Sequence, residues 1–302
     1  GLVGSEMCIR DRDKELLKSK NLKDRIKKAL SFFTSEEDRK VNQTDPDCAI
    51  MHSVQGSHAS YNVQSVVDDK YGLIVQTEAV SDPNDAHQFS RQIEQANDVL
   101  GTSCEMACAD AGYSDVSDLE KIDEKSIKVI VPSQRQALHK EEDPFSKSHF
   151  TYDSEQDCYF CPEGHRLRYS FTDKRKGKRQ YRMEDKRFCL RCPHYGRCTK
   201  SPRGRNIIRL RNEEVKLKLE AQYEETSSQE IYRRRKAKVE HPFGHIKRNL
   251  KTDSFLLRGR DGVQAETSLL ATCFNIARMI TILGVGRLIE KLSALSMYSV
   301  IC

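Results

Sequence analysis

The sequence predicts a mixed α/β fold that is interrupted by a basic, cysteine-bearing segment. A predicted β-hairpin is followed by strands that alternate with helices, which is typical of a mixed sheet. This alternation stops at residue 134, and helical patterning returns only at residue 212. The intervening stretch contains five closely spaced cysteines and a strong excess of positive charge.

The hairpin and the first helix follow from local signals. Residues 61–67 and 73–80 are two short runs of strand-forming side chains joined by a polar turn, which predicts the hairpin. Asp85 and Gln88 have the spacing of a capping box. We therefore expect a helix to begin there and to run to about residue 100.

The next unit is a strand, a turn, a helix and a strand. Residues 105–109 form a short apolar run, and Gly112 provides a tight turn after it. Ser114 or Asp115 can cap the following helix. Residues 128–131 form a second buried strand, which ends at a proline.

Both ends of the chain carry helical patterns. Residues 13–33 have apolar side chains at helical spacing and a basic face, which predicts a surface helix. Residues 34–56 are polar and rich in turn formers, whereas residues 212–248 and 263–283 are helical. The tail, residues 285–302, receives no assignment.

The predicted organisation has six parts. Residues 1–12 resemble a translated sequencing-library adapter and are expected to be no part of the natural protein. The other five parts are a basic helix and linker at 13–43, the first part of the α/β domain at 44–133, the cysteine-rich insertion at 134–211, the rest of the α/β domain at 212–284, and the tail at 285–302.

Charge is distributed unevenly over the 302 residues. The net charge is +6, but residues 166–211 contain 17 Lys and Arg against three acids, a local charge of +14. A block of this kind favours a polyanionic partner, and a solvated basic loop is the alternative. A membrane protein is excluded because Asn275 and Arg278 interrupt the longest apolar stretch. Eleven cysteines without a signal-peptide pattern favour a cytoplasmic setting.

Cysteine spacing within the insertion indicates a metal site. The pattern is Cys158-x2-Cys161 and Cys189-x2-Cys192-x5-Cys198, which suits tetrahedral zinc. Free reduced cysteines and an iron–sulfur cluster are the alternatives, and His165 is a further candidate ligand. The remaining internal cysteines on apolar faces are predicted core residues: Cys104, Cys108 and Cys273.

Two motifs carry chemistry. In ACADAGYSD, Asp110 follows a buried strand, where catalytic groups of α/β sheets collect, although an aspartate there is often only a helix cap. In IYRRRKAKVEHPFGHIKRN, Glu240 lies on a predicted helix with Lys236 four residues before it and Lys247 seven residues after it. The alternative for this second motif is a surface ladder of salt bridges.

Together the two motifs resemble those of insertion-sequence transposases of the DDE type, which have a ribonuclease-H-like fold. The resemblance implies that Asp110 is the second catalytic aspartate and that Glu240 is the catalytic glutamate, and that both bind Mg²⁺ or Mn²⁺. Tyr232, Arg235 and Lys247 match the family's helix signature, except that four residues separate Arg235 from Glu240 where many members have three. The basic side chains, Lys236 included, would hold DNA phosphates or steady the carboxylates.

The resemblance has further implications. The hairpin resembles the family's second and third strands, and a CPEGH-like motif implies zinc on Cys161, Cys189, Cys192 and Cys198, which leaves Cys158 spare. No Asp-Gly-Thr motif precedes the hairpin, so we expect that the first strand and its aspartate were lost with a truncated N-terminus and that this fragment is inactive.

The implied partners are double-stranded DNA, both as transposon ends and as target, and a second copy of the chain in a synaptic complex. The implied setting is the nucleoid of a bacterial cell. The alternative is a DNA-binding transposase remnant without catalytic activity.

Overall fold

The computed structural model describes residues 20–24, 26–27, 42, 44–53, 56–138, 143–174 and 177–298. The adapter-like residues 1–12 lie outside this part of the chain. Most of the predicted helix at 13–33 also lies outside it, and residues 20–24 and 26–27 are helical. The described residues form a mixed α/β architecture, as predicted.

Two hairpins open the described structure. The first pairs β1 (Ala49–Ser53) with β2 (Gly56–Ser60) and is largely exposed. The interpretation of residues 34–56 as polar and turn-rich misses this hairpin, because its side chains are half-buried in β1 and mostly exposed in β2 and give no buried alternation. The second hairpin is the predicted one, with β3 (Asn62–Val67) antiparallel to β4 (Ile74–Val80).

A parallel pair of strands follows. Helix α1 (Phe89–Leu100) leads to β5 (Met106–Cys108), α2 (Val116–Asp123) and β6 (Lys128–Ile130), and β5 and β6 are parallel. The apolar faces of these elements form one buried cluster, which includes Phe89, Leu119, Ile122 and Val129. The strand, helix, strand prediction is confirmed.

The capping box predicted at the start of α1 is wrong. The helix begins at Phe89 after Gln88, whose side chain makes no cap hydrogen bond. His87 has a φ of 67°, which breaks the helical path before this point. The carboxylate of Asp85 instead binds the side chains of Asn62 and Gln64.

The basic, cysteine-bearing stretch folds into a five-stranded antiparallel sheet of its own. A short helix, α3 (Gln134–Ala137), precedes it. The strands are β7 (Thr151–Asp153), β8 (Cys158–Phe160), β9 (Arg166–Asp173), β10 (Lys178–Met183) and β11 (Asn206–Leu210), in the spatial order β11-β10-β9-β8-β7, with α4 (Lys186–Arg191) between β10 and β11. One face of the sheet packs around the fully buried Tyr181.

Four helices complete the chain. These are α5 (Glu213–Glu224), α6 (Thr226–Arg248), α7 (Arg260–Leu283) and α8 (Val285–Tyr298), and α7 packs along β4. No single helix among the described residues is long and apolar enough to cross a membrane; only α7 taken together with residues 285–294, across a bend of 112°, has that length and composition.

Side-chain amides seal the outer edges of both strand pairs. Asn275 both donates to and accepts from the backbone of Ile74 at 2.8 Å, and Gln264 bonds the backbone of Thr77 and Ala79. On the other pair, Gln222 donates to a carbonyl of β6 at 2.8 Å. These contacts take the place of strand pairing at three residues of β4 and at Val129 of β6.

Candidate active site and cysteine cluster

The inner edges of β3 and β5 line one cleft of about 500 Å³. Residues 62–69 form one wall, residues 106–110 form part of the other, and α6 lies across the cleft. Within the part of the chain that the structure describes, β3 pairs only with β4, and β5 pairs only with β6. The cleft therefore divides the α/β layer between two strand edges.

Two buried polar atoms among the cleft-lining side chains have no hydrogen-bond partner among the described residues. One is Oε1 of Gln92, whose side chain is only 4% exposed, and the other is Nε of Arg235. Burying an unpaired polar group costs about 1–3 kcal/mol, so these two atoms are a local cost of the packing behind the cleft wall.

Asp110 lies at the mouth of this cleft, directly after β5. One of its carboxylate oxygens accepts a hydrogen bond from the Gly112 amide at 2.9 Å. The other oxygen lies 3.9 Å from Nη1 of Arg235, and the Arg235 guanidinium lies 5.1 Å from the ring of Tyr232. Asp110 therefore caps the 3₁₀ turn, as the alternative interpretation predicts, and it also faces α6.

Asp85 is the neighbour of Asp110 that sequence reasoning missed. Its Oδ1 accepts from Asn62 and Gln64 at 2.8 Å each, which leaves Oδ2 to face Gly112. A Cβ added at Gly112 would lie 2.9 Å from Asp110 Oδ1 and 3.0 Å from Asp85 Oδ2, so a larger residue there would require the two carboxylates to shift. The YNVQ and SDPND segments contain this contact, but their sequence spacing does not reveal it.

Tyr113 lies close to the carboxylates of both Asp85 and Asp110. Burial raises the pKa of its hydroxyl, and the carboxylates of Asp85 and Asp110 raise it further. The hydroxyl donates to the buried Gln64, so Tyr113 ties β3 to the turn after β5. A negative pocket of this kind suits a cation.

Glu240 does not join this group. It is exposed and is not among the residues that line the cleft. Arg235 faces Asp110, and a residue five positions further along a helix points about 140° away. Lys238 of α6 lines the cleft as Arg235 does, and its Nζ lies 3.9 Å from Asp69.

The remaining predicted residues of α6 are spread around the helix. Tyr232 packs edge-on against Tyr223 with ring centroids 5.2 Å apart. Lys236 is exposed, and Lys247 lines a different cavity, of about 680 Å³, between β3, α6 and α7. The structure therefore brings Asp110 and Arg235 together but not the full predicted set.

The other aspartates near the hairpin have structural roles. Asp45 accepts from the Tyr61 hydroxyl at 2.7 Å and from the Gly259 amide at 3.2 Å, and Asp47 accepts from the Arg260 amide, so both cap the start of α7. Asp68 accepts two amides within its own hairpin turn. None of them occupies a central strand, as the sequence indicates.

The four cysteines implied by the CPEGH-like motif line one small cavity of about 30 Å³, and Cys158 does not. Backbone amides donate to the sulfurs of Cys161, Cys189 and Cys192 at 3.3–3.4 Å. Burial raises the pKa of Cys189 and Cys198. Among the described residues, however, no group of three or more His, Cys, Asp or Glu side chains has the arrangement of a metal site.

Two of the three cysteines that were predicted to be core residues fit that prediction in part. Cys104 is half-buried and packs against the first core cluster, and Cys108 is half-buried with a pKa that burial raises to about 12. Cys273 is exposed on α7, so its assignment to the core is wrong. The reason is that the apolar surface of α7 extends to its solvent-facing side.

Comparison with known proteins supports the resemblance seen in the motifs. Residues 160–280 match a family described as "Transposase DDE domain". The matched range contains the four clustered cysteines and Glu240, whereas Asp110 lies outside it. No curated protein and no solved structure matches the chain.

Proposed function

We propose that the chain is the DNA-processing part of an insertion-sequence transposase, because residues 160–280 match the family described as "Transposase DDE domain". Transposases of this type cut and join DNA strands and generally use divalent metals such as Mg²⁺. The observation that supports this function best is the position of Asp110, at the mouth of a cleft where a basic helix and a second carboxylate meet.

Among the described residues, the carboxylates do not assemble a magnesium site by themselves. Asp110 faces Arg235 while Glu240 is exposed, and the other aspartates that line the cleft face amides or Lys238: Asp68, Asp69 and Asp85. We propose that a further strand, which brings the first catalytic aspartate, occupies the cleft between β3 and β5 in the complete enzyme. The inner edges of β3 and β5, which are unpaired among the described residues and line the cleft, support this proposal.

In this scheme each residue has a role on the chain itself. Asp110 and Glu240 are the catalytic carboxylates, and they converge only when the added strand shifts α6. Arg235 balances the charge of Asp110 in the present structure and, with Tyr232, Lys236 and Lys247, holds DNA phosphates. In this scheme Arg235 already lies beside Asp110 before DNA binds.

The cysteine cluster is proposed to hold a structural zinc ion. Four sulfurs around one cavity, three of them with backbone donors, are the chemistry that zinc prefers. The site would be formed by Cys161, Cys189, Cys192 and Cys198, and the chain would need a small closure to reach tetrahedral geometry. Zinc would fix α4 against the basic sheet that faces DNA.

The partners would be the transposon ends and the target duplex in the bacterial nucleoid, with a second copy of the chain in the synaptic complex. The exposed basic side chains of the insertion support a polyanionic partner. A DNA-binding remnant is the second candidate, and the exposed position of Glu240 favours it.

The test is strand transfer by the chain extended with the residues encoded upstream of Asp13 in the source genome. We expect the extended enzyme to join transposon ends in Mg²⁺, and Asp110→Ala and Glu240→Ala to abolish joining while DNA binding persists. Asp98→Ala and Glu230→Ala, which remove exposed acids on α1 and α6, are the matched controls. An extended enzyme that binds DNA but joins none would establish the remnant instead.

A further inference from the structure

Leu256 is the most exposed large apolar side chain among the described residues. It is 87% exposed and lies in the loop between α6 and α7, residues 249–259. Its neighbours Phe255 and Leu257 line the cavity of about 680 Å³ between β3, α6 and α7, whereas Leu256 does not. The loop therefore holds one leucine in solvent between two apolar side chains that anchor it.

Glu266 of α7 fixes the backbone of the loop at this leucine. Its carboxylate accepts the amide of Leu256 at 2.9 and 3.1 Å and the amide of Leu257 at 3.0 Å. A Cβ added at Gly262 would lie 3.2 Å from Cβ of Leu257, so the loop also lies close against α7. Because the backbone is already bonded in place, little conformational entropy is lost when Leu256 makes a contact.

Positive charge lies on both sides of this leucine along the chain. Residues 247–260 contain five basic side chains and one acid, a local charge of +4. All five are exposed, and none forms an ion pair with another described residue: Lys247, Arg248, Lys251, Arg258 and Arg260. Cations without partners around an exposed leucine favour a polyanion with an apolar interior.

We propose that Leu256 is a wedge that inserts between two base pairs of duplex DNA while the surrounding cations hold phosphates. Apolar side chains flanked by Arg and Lys kink duplexes in this way. One leucine is too small for a stable protein interface, which takes about 800 Å² from each partner. Single strands are instead bound by aromatic side chains on which bases stack, and the aromatic side chain of this loop, Phe255, lines the cavity.

The wedge rests on the proposed function and adds to it a place where the duplex is distorted. Arg235 faces Asp110, and α6 ends at Arg248, which is about 20 Å further along the helix axis. The loop follows at that far end of α6. Leu256 would therefore distort the duplex away from the carboxylates and take no part in cutting the strand.

Binding of the full chain to a duplex of about 30 base pairs, either fully matched or with one central mismatch, tests the wedge. A mismatched pair costs less to unstack, so we expect the wild-type chain to bind the mismatched duplex roughly fivefold more tightly. Leu256→Ala should bind both duplexes alike with an unchanged circular dichroism spectrum. Leu269→Ala, which removes a leucine that is 64% exposed on α7, should keep the preference.

Three results would overturn the wedge. They are a wild-type chain without the preference, Leu256→Ala with the preference intact, and a wild-type chain that binds vesicles of anionic phospholipid but neither duplex. The last result would assign the exposed leucine to a membrane surface.

The cations provide a matched comparison. Arg258→Gln combined with Arg260→Gln should weaken binding to both duplexes equally and lower the slope of log affinity against log salt by about two. A variant that keeps its affinity but loses the preference would overturn the assignment to Leu256.

None of these measurements involves strand transfer. An extended enzyme that joins no DNA but keeps a preference that depends on Leu256 would refute the proposed function alone. An extended enzyme that joins DNA without that preference would refute the wedge alone.

Discussion

The two sheet regions of this molecule differ in how completely their strands are paired. In the insertion, each of the five strands pairs with its neighbour in the sheet, and the whole sheet is antiparallel. In the α/β region, the described strands form three separate pairs, and the inner edges of two of them, β3–β4 and β5–β6, line a cleft of about 500 Å³. The insertion therefore contains one continuous sheet, whereas the sheet of the α/β region is divided at the position of its carboxylates.

This difference in strand pairing shows which region of the fold depends on contacts between distant parts of the chain. Most strands of the insertion meet neighbours that are close in sequence, which costs little loop-closure entropy. The edges of the α/β region are sealed only by side chains from remote helices, such as Asn275 on Ile74, some 201 residues away. Catalytic activity would then depend on the region in which the described strands are least completely paired.

The largest expected effect is the loss of zinc from the insertion. We expect one zinc ion per chain, and we expect Cys189→Ser to lose it and Cys158→Ser to keep it. Since structural zinc contributes roughly 10–16 kcal/mol of apparent binding energy, its removal should melt the insertion sheet. Metal analysis with thermal unfolding checks this, and a metal-free wild-type chain with an intact sheet would contradict it.

The core of the insertion should respond next. Tyr181 is fully buried, and its hydroxyl donates to Asp157 at 2.6 Å. Tyr181→Ala should lower the free energy of unfolding by about 3–5 kcal/mol, as for other large-to-small aromatic changes in cores. Tyr169→Ala, at a site that is 46% exposed, should cost far less, and urea unfolding of both variants compares them. Equal losses would show that the sheet is not packed as described.

The edge of the α/β region should be sensitive to one amide. Asn275→Ala leaves the backbone N–H and C=O of the buried Ile74 without partners, at about 1–3 kcal/mol for each group. Thr272→Ala on the exposed face of the same helix is the control. Urea unfolding should separate the two variants, and indistinguishable midpoints would mean that α7 does not seal β4.

A smaller and pH-dependent effect is expected at Asp118. Burial raises the pKa of this carboxyl, but hydrogen bonds from the Ser90 amide and hydroxyl and from Lys121 outweigh it, so the folded-state pKa lies below its ordinary value. Its stabilisation is therefore present above about pH 4 and is lost as the pH falls through the folded-state pKa. Asp118→Asn should cost about 1.5–3 kcal/mol at neutral pH and flatten the acid limb of the stability profile. An unchanged acid limb would contradict this.

The sequence predicts the local elements of this fold better than their long-range contacts. The hairpin, the β5–β6 unit and α7 follow from periodicity and turn residues, because those signals are local. The strands of the insertion escape prediction, since their exposed faces carry Arg and Lys rather than a clean alternation. The sequence does not predict that Asp85 lies near Asp110, because only tertiary folding brings their two segments together.

Two misreadings have a common cause. Asp85 has the spacing of a helix cap, but two amides from β3 bind its carboxylate instead. Asn275 and Arg278 look only like interruptions of an apolar helix, yet both hold α7 to the hairpin. In each case a polar side chain serves a distant backbone or side chain, which local patterns do not report.

The central claim is that a further strand completes the α/β sheet between β3 and β5. Amide hydrogen exchange, measured on this chain and on the chain extended upstream of Asp13, tests it most directly. We expect the inner-edge amides of β3 and β5 to exchange rapidly in the present chain and to become protected in the extended chain, while β10 amides are slow in both. Unchanged exchange at β3 and β5 in the extended chain would contradict the claim.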